Sequence, residues 1–361
     1  MKYAIVHDDF IQFGGAERVV VSLNDIFKNS DVFSSISSED NLKLFENFYL
    51  SSAQKYSLFK KYSKQLFFIY PYIFESFNFN DYDIVISSSS RFAHGIITQP
   101  STMHICYMHS PSRYIWDYED YIKEKKLNIL ERILLPVFKS YLMMWDYAAA
   151  QRVDYFIANS SYTKDRIKKF YGKESVVISP PVNIDKYLEI KDTKGKYYLY
   201  VGRIVPWKRL DIVIDAFREN GKKLCIVGRG EKEYISLLKS KSSSNIKYIE
   251  NATDEDLVNI YANSKALIFP SKEDFGIAPV ESIASGKPVI AYKEGGVSDS
   301  IVDGKNGVLF PTQDKDSLNI AIERLESLNL KSADIKKTSH KFSAKNFKSN
   351  MEKFIDICQK K

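Results

Sequence analysis

Two carboxylates, Glu273 and Glu281, stand eight residues apart in the segment Pro270–Ala284, which reads PSKEDFGIAPVESIA. Phe275, Gly276 and Ile277 lie between them. Backbone N–H groups in such a loop suit hydroxyl or phosphate oxygens, and a glycine lets them come close. A carboxylate can accept hydrogen bonds from both hydroxyls of a vicinal diol, so a ribose is a fitting partner. A helix is expected to open at Pro279, a favoured first-turn residue. That puts Glu281 in the first turn, where its charge complements the helix dipole. Taken alone, Glu273 reads as an exposed turn residue and Glu281 as a helix-start residue.

Three further features carry chemistry-bearing residues at the ends of strand-like runs. Gly202-Arg203 follows the apolar run Tyr197–Val201, and Lys208 comes five residues after Arg203. Gly14-Gly15 separates the apolar run Tyr3–His7 from a helix-like stretch at Ala16–Phe27. His109 ends the run HICYMH. Two other motifs read as structural. Thr253 before Asp254-Glu255-Asp256 is a helix N-cap with an acidic first turn, so no metal is expected there. Gly228-Arg229-Gly230 lacks the third glycine of a dinucleotide fingerprint and reads as a strand-to-helix turn.

These residues need elements to hold them. The first half alternates buried strand-like runs, among them Asp31–Ile36, Asp83–Ser87, His104–His109 and Asp154–Asn159, with helix-like stretches such as Leu127–Ala150. From Pro180 to Lys196 the composition turns to Pro, Asp and Lys, a linker signal. A second alternating series then runs to Ser327. Strands alternating with helices imply a parallel sheet in each half. The expected fold class is therefore α/β, two Rossmann-like domains facing a central cleft. The expected domains are 1–181 and 196–342, with the terminal helix 343–361 packing back on the first. In open α/β sheets, ligands bind outside the carboxyl ends of the strands, where all four motifs fall.

Taken together, the four motifs resemble one family. Glu273 and Glu281 around Phe275-Gly276-Ile277, with Gly202-Arg203 and Lys208, Gly14-Gly15 and His109, are similar to the signature of glycosyltransferase family 4. That is the group-1 set of retaining enzymes with the GT-B fold. The resemblance implies that Arg203 and Lys208 clamp the donor diphosphate and that Glu281 binds the ribose. It implies that Glu273 and the backbone at Phe275–Ile277 hold the transferred sugar. Gly15, with Gly14, would donate to the diphosphate, and His109 would contact the sugar near the reacting carbon. Retention by double displacement would need a carboxylate nucleophile. Asp117 and Glu119 lie near His109 in sequence but match no such role, and the family implies front-face substitution instead. The stretch His109–Asp117, HSPSRYIWD, further resembles a subset that builds bacterial surface polysaccharides, often from GDP-mannose. The expected activity is hexosyl transfer from a nucleotide sugar, mannose from GDP-mannose first, to a polysaccharide or lipid-linked oligosaccharide, without metal or other cofactor. A UDP-sugar transferase of the same fold and a catalytically silent sugar-binding subunit remain open.

The bulk properties agree with this and exclude some classes. The 361 residues carry a formal charge of +7, with 44% hydrophobic and 27% charged residues, as in an ordinary globular protein. The mild positive charge favours phosphate-bearing ligands or an anionic membrane face, and no nucleic-acid motif accompanies it. Cys106, Cys225 and Cys358 form no metal or disulfide pattern, and a cytoplasmic location is expected. No run is apolar and long enough for a membrane span. Gln54–Phe79 interleaves aromatics with Lys55, Lys60, Lys61 and Lys64. It reads equally as a membrane-surface patch or as part of the first core.

Overall fold

The computed structural model describes residues 1–63, 65–118 and 129–360. They form two compact units: Met1–Pro181 with Phe347–Lys361, and Val182–Asn346.

In the first unit the strands are β1 (Tyr3–His7), β2 (Asp31–Ser34), β3 (Phe48–Leu50), β4 (Ile84–Ser89), β5 (Met103–Met108), β6 (Tyr155–Ala158) and β7 (Ser175–Val177). They pair in parallel in the order β3-β2-β1-β4-β5-β6-β7. The central strands are buried on both faces, which is why they read as unbroken apolar runs. One face packs Val19, Val20 and Leu23 of the helix Gly15–Ile26 with Phe347, Met351 and Ile355 of the terminal helix Ala344–Gln359. The other face packs Phe74, Phe79, Phe92 and Leu142, the last from the helix Ile129–Gln151. Half of the aromatic segment 54–79 is thus core: Phe59, Phe67, Tyr70 and Phe74 are buried, while Tyr56, Leu58, Tyr62 and Tyr72 are exposed.

The second unit has β8 (Tyr197–Val201), β9 (Leu224–Val227), β10 (Ile246–Ile249), β11 (Ser264–Phe269), β12 (Val289–Tyr292) and β13 (Gly307–Phe310). These are also all parallel, in the order β10-β9-β8-β11-β12-β13. In each sheet the strand order reverses once, between β1 and β4 and between β8 and β11. Such switch points open a crevice at the carboxyl ends of the strands, because the flanking crossovers leave in opposite directions.

The structure revises the sequence reading in two places. The Pro180–Lys196 stretch is not a free linker. Val182, Ile184, Tyr187 and Ile190 are buried in the second unit, and the Val182 N–H donates to the Phe342 carbonyl at 2.9 Å. Four apolar side chains in this stretch outweigh its polar composition, so the second unit begins at Val182 rather than at 196 and runs to Asn346. The helix expected to open at Pro279 opens at Ile277, with Gly276 as its N-cap. Pro279 is then the third helical residue, where its missing N–H still costs no intrahelical bond. Glu281 is the fifth helical residue, past the first turn.

Candidate functional site

The second unit brings its cationic and acidic motifs to the β8/β11 switch point. β8 ends at Val201, and the loop after it carries Arg203 and Lys208. β11 ends at Phe269, and the loop after it carries Glu273. Because β8 and β11 are neighbours, residues 65 apart in sequence meet: the Lys208 Nζ pairs with Glu273 Oε1. The same carboxylate accepts from Ser271 Oγ at 2.7 Å. Both partners are largely shielded, with side chains 13% and 22% exposed. Arg203 is exposed, its guanidinium 5.7 Å from the centre of the Trp207 ring. The Gly228–Gly230 turn lies beneath, where the Ile204 N–H donates to the Arg229 carbonyl at 2.7 Å.

Glu281 lies on the buried side of the helix Ile277–Ala284, 9% exposed. It accepts a hydrogen bond from the Tyr261 hydroxyl at 3.0 Å. Burial, reinforced by the Glu281 charge, holds that phenol protonated far above its ordinary 10.0, so the donor is permanent. Phe275 is buried beside Phe342, ring centres 5.7 Å apart. Only its backbone is therefore available to a ligand. Gly276 has φ +95°, a conformation that favours glycine and turns the chain into the helix. Sequence reading missed the loop that supports this turn. Gly296 donates its N–H to the Glu273 carbonyl at 2.8 Å, and a Cβ on it would lie 2.0 Å from the Asp274 carbonyl oxygen. The pair Gly295-Gly296 after β12 was the available signal, since only a residue without a side chain allows two backbones to approach this closely.

In the first unit the β1/β4 switch point carries a buried polar network. Asp8, at the end of β1, is 3% exposed. Its Oδ2 accepts from the Ser90 and Arg91 N–H groups at 2.6 and 3.0 Å, and its Oδ1 from those of Phe92 and Ala93 at 2.8 and 2.9 Å. Gly14 caps the helix that starts at Gly15, and the Gly14 N–H donates to Glu17 Oε2 at 2.7 Å. His109 follows β5; its Nε2 is 2.8 Å from Ser88 Oγ, and its carbonyl accepts from Asn159 Nδ2 at 2.9 Å. Burial, with the charge of His7, pushes its imidazole down to about 4, so it is neutral near pH 7. The run Ser87–Ser89 held no signal by composition. In β4 these three serines meet four imidazoles: Ser87 that of His104, Ser88 those of His7 and His109, and Ser89 that of His94.

The remaining expected motifs have structural partners. Asp117 pairs with Arg166, and Glu119 lies outside the described residues. Asp256 forms a capping box with Thr253, each accepting from the other's backbone N–H at 2.9 and 3.1 Å. Among the described residues no group of three or more His, Cys, Asp or Glu could hold a metal ion. All three cysteines are buried.

Two parallel α/β units, each with polar residues gathered at its switch point, match solved glycosyltransferases of the GT-B fold. The Anabaena protein HepE, in complex with UDP, superposes with a TM-score of 0.72 at 16% identity, covering 99% of this chain and 100% of that one. The fold is thus GT-B. The model for glycosyl transferases group 1 matches residues 184–342, and that for glycosyltransferase family 4 matches residues 13–186. The chain belongs to this family of group-1 glycosyltransferases. It is 30% identical over 186 residues to an uncharacterized glycosyltransferase of Methanocaldococcus jannaschii, a match covering 50% of this chain and 51% of that protein. The chain therefore aligns with only about half the length of that relative. It is 24% identical to the alpha-1,3/1,6-mannosyltransferase ALG2 of Dictyostelium discoideum, over 98% of each chain.

Asp8 gives a test of the first switch point. Burial alone would raise its pKa, but the charges of Arg91 and His7 and the backbone donors lower it below 3.8. A depressed carboxylate stabilises the fold above its unfolded pKa and loses that contribution as pH falls through its folded value. Asp8→Asn keeps one acceptor and strands backbone donors, so it should cost about 2–4 kcal/mol at pH 7. The gap between wild type and variant, read by denaturant unfolding, should narrow as pH falls below 3.8. An equal gap at pH 7 and in acid would contradict this role.

Proposed function

We propose that the chain transfers mannose from GDP-mannose to a glycan or lipid-linked acceptor in surface-polysaccharide synthesis, with retention of anomeric configuration. The observation that carries this is the gathering of Arg203, Lys208 and Glu273 at one switch point, with Glu281 on the helix that begins there. In this reading the donor diphosphate meets Lys208 and Arg203. An ammonium has three N–H donors, so Lys208 can hold Glu273 and a phosphate oxygen together. As the glycosyl bond breaks, negative charge grows on the leaving diphosphate, and fixed cations there lower the barrier. These two side chains supply the counter-charge, so the proposal uses no metal. Glu281 accepts from the ribose hydroxyls, its orientation fixed by Tyr261. Glu273 and the Phe275–Ile277 backbone bind the hydroxyls of the transferred sugar.

Mannose is supported by the full-length similarity to a protein named a mannosyltransferase. A second reading, a UDP-linked donor, is favoured by the fold's similarity to a protein solved with UDP. The turnover test separates them, and it also separates both from a silent subunit. Purified protein is mixed with GDP-mannose or UDP-glucose and an acceptor extract, and nucleoside diphosphate release is followed. GDP release is expected, and Lys208→Ala should lower it at least about 100-fold, the typical loss of a charged transition-state contact. Activity of the variant within threefold of wild type would overturn the clamp.

We also propose that the first unit lies against an anionic lipid surface, where a lipid-linked acceptor would be reached. No helix among the described residues is long and apolar enough to cross a membrane. Leu58 and Tyr72 are each 68% exposed, and Lys60 and Lys61, close to Leu58 in sequence, are exposed cations. On the helix Ile129–Gln151, Ile133, Val137 and Met144 form a stripe 60%, 68% and 67% exposed. Their spacing of four and seven residues keeps them on one helix face. Lys55 is also exposed, and Lys64 lies outside the described residues. Near an anionic surface each lysine contributes about 1 kcal/mol, screened by salt. Flotation with anionic vesicles should therefore succeed at low salt and fail at high salt. It should also fail for a Lys60→Glu, Lys61→Glu, Val137→Glu variant. Equal flotation of both proteins, or of neither, would remove this proposal.

A further inference from the structure

The two histidines of the β1/β4 switch point share one serine. β1 and β4 pair with His7 opposite Ser88. His7 Nδ1 is 2.9 Å from the Ser88 carbonyl and 3.2 Å from Ser88 Oγ. A carbonyl only accepts, so His7 Nδ1 carries a proton. Ser88 Oγ can then only accept from His7, and its own proton is left for another partner. The acceptor in reach is His109 Nε2, 2.8 Å away.

Behind His7 stands Glu17, 5% exposed, with Oε1 3.9 Å from His7 Nε2. Its other oxygen accepts from the Gly14 N–H at 2.7 Å. One buried carboxylate thus ties the glycine turn to the histidine chain. Asp8 and Asp9 lie near His7 as well, and Phe10 and His109 face its ring, with ring centres 4.9 and 6.4 Å away.

We propose that Glu17, His7 and Ser88 are positioning residues that fix the proton of His109 on Nδ1. Among the described residues that nitrogen makes no hydrogen bond, so it is a donor held for a ligand oxygen. A hydroxyl of the transferred sugar is the chemical class it fits. That last step rests on the transfer reading given above; the tautomer does not. Burial would lower the His7 pKa, but Glu17 first and then Asp8 and Asp9 raise it overall. A charged His7 in turn disfavours a second charge on His109, which keeps that ring neutral and able to have a tautomer.

The test is nuclear magnetic resonance on full-length protein labelled with nitrogen-15 at histidine. Two-bond proton–nitrogen correlations distinguish the tautomers, and His109→Gln identifies the His109 signals by their loss. Wild type is expected to show a protonated Nδ1 and a bare Nε2 at neutral pH. Ser88→Ala should move the proton toward Nε2 and lower kcat about tenfold, the effect of one hydrogen bond. Ser88→Thr, which restores the hydroxyl, should bring both back. A wild-type ring protonated on Nε2 overturns the proposal, whether or not the variants fold. So does a Ser88→Ala spectrum matching wild type. A wild-type Nδ1 tautomer in a protein with no transferase activity would keep the proposal and discard the transfer reading.

Discussion

The contact between Lys208 and Glu273 depends on a single topological fact, the adjacency of β8 and β11. A parallel sheet places every strand's carboxyl end on one edge, and reversal of strand order opens that edge at one point only. The loops after β8 and β11 are therefore the two that share it. An ion pair this shielded pays a desolvation cost, which its mutual attraction and the Ser271 hydrogen bond offset. Without ligand, the pair keeps a cation and a carboxylate in place at the crevice. A diphosphate arriving there would meet an ammonium already oriented, rather than a mobile surface lysine. The Gly295-Gly296 loop serves the same end from below, because its backbone supports the backbone of the Glu273 turn.

The first unit uses the same topology with different chemistry. Its switch point is lined by buried imidazoles and serines and also holds an ion pair, Arg91 with Asp9, while Asp8 fixes the loop after β4 through four backbone donors. Burial holds His104 at about 3 and His109 at about 4, so these two imidazoles add hydrogen bonds without adding cations. Such neutral imidazoles suit the hydroxyls of a sugar, whereas charge growing on a leaving diphosphate calls for fixed cations.

Much of this was legible in the sequence because buried parallel strands are apolar on both faces and leave unbroken runs. The glycine turn at Gly14-Gly15, the Gly202–Lys208 loop and the Glu273–Glu281 segment were found by their place at the ends of such runs. What was not legible has identifiable causes. β3 is an edge strand none of whose three residues is fully buried, so it lacks the two-sided burial that marks the central strands. Ser87–Ser89 resembles a loop by composition, yet an imidazole satisfies each buried hydroxyl, and no sequence pattern announces partners up to 81 residues away. Tyr261 was unremarkable until the fold placed its hydroxyl on Glu281. Pro279 marked a helix start correctly in kind but not in position, because proline is tolerated anywhere in the first turn.

The central claim is that the β8/β11 switch point recognises a diphosphate. Calorimetry on the full chain tests it, comparing a nucleoside diphosphate with its monophosphate, in the GDP or the UDP series, whichever binds. Wild type should prefer the diphosphate at least about tenfold, or roughly 1.4 kcal/mol. In Arg203→Ala that preference should collapse while affinity for the monophosphate stays nearly unchanged. An Arg203→Ala protein that keeps the full preference would contradict the account.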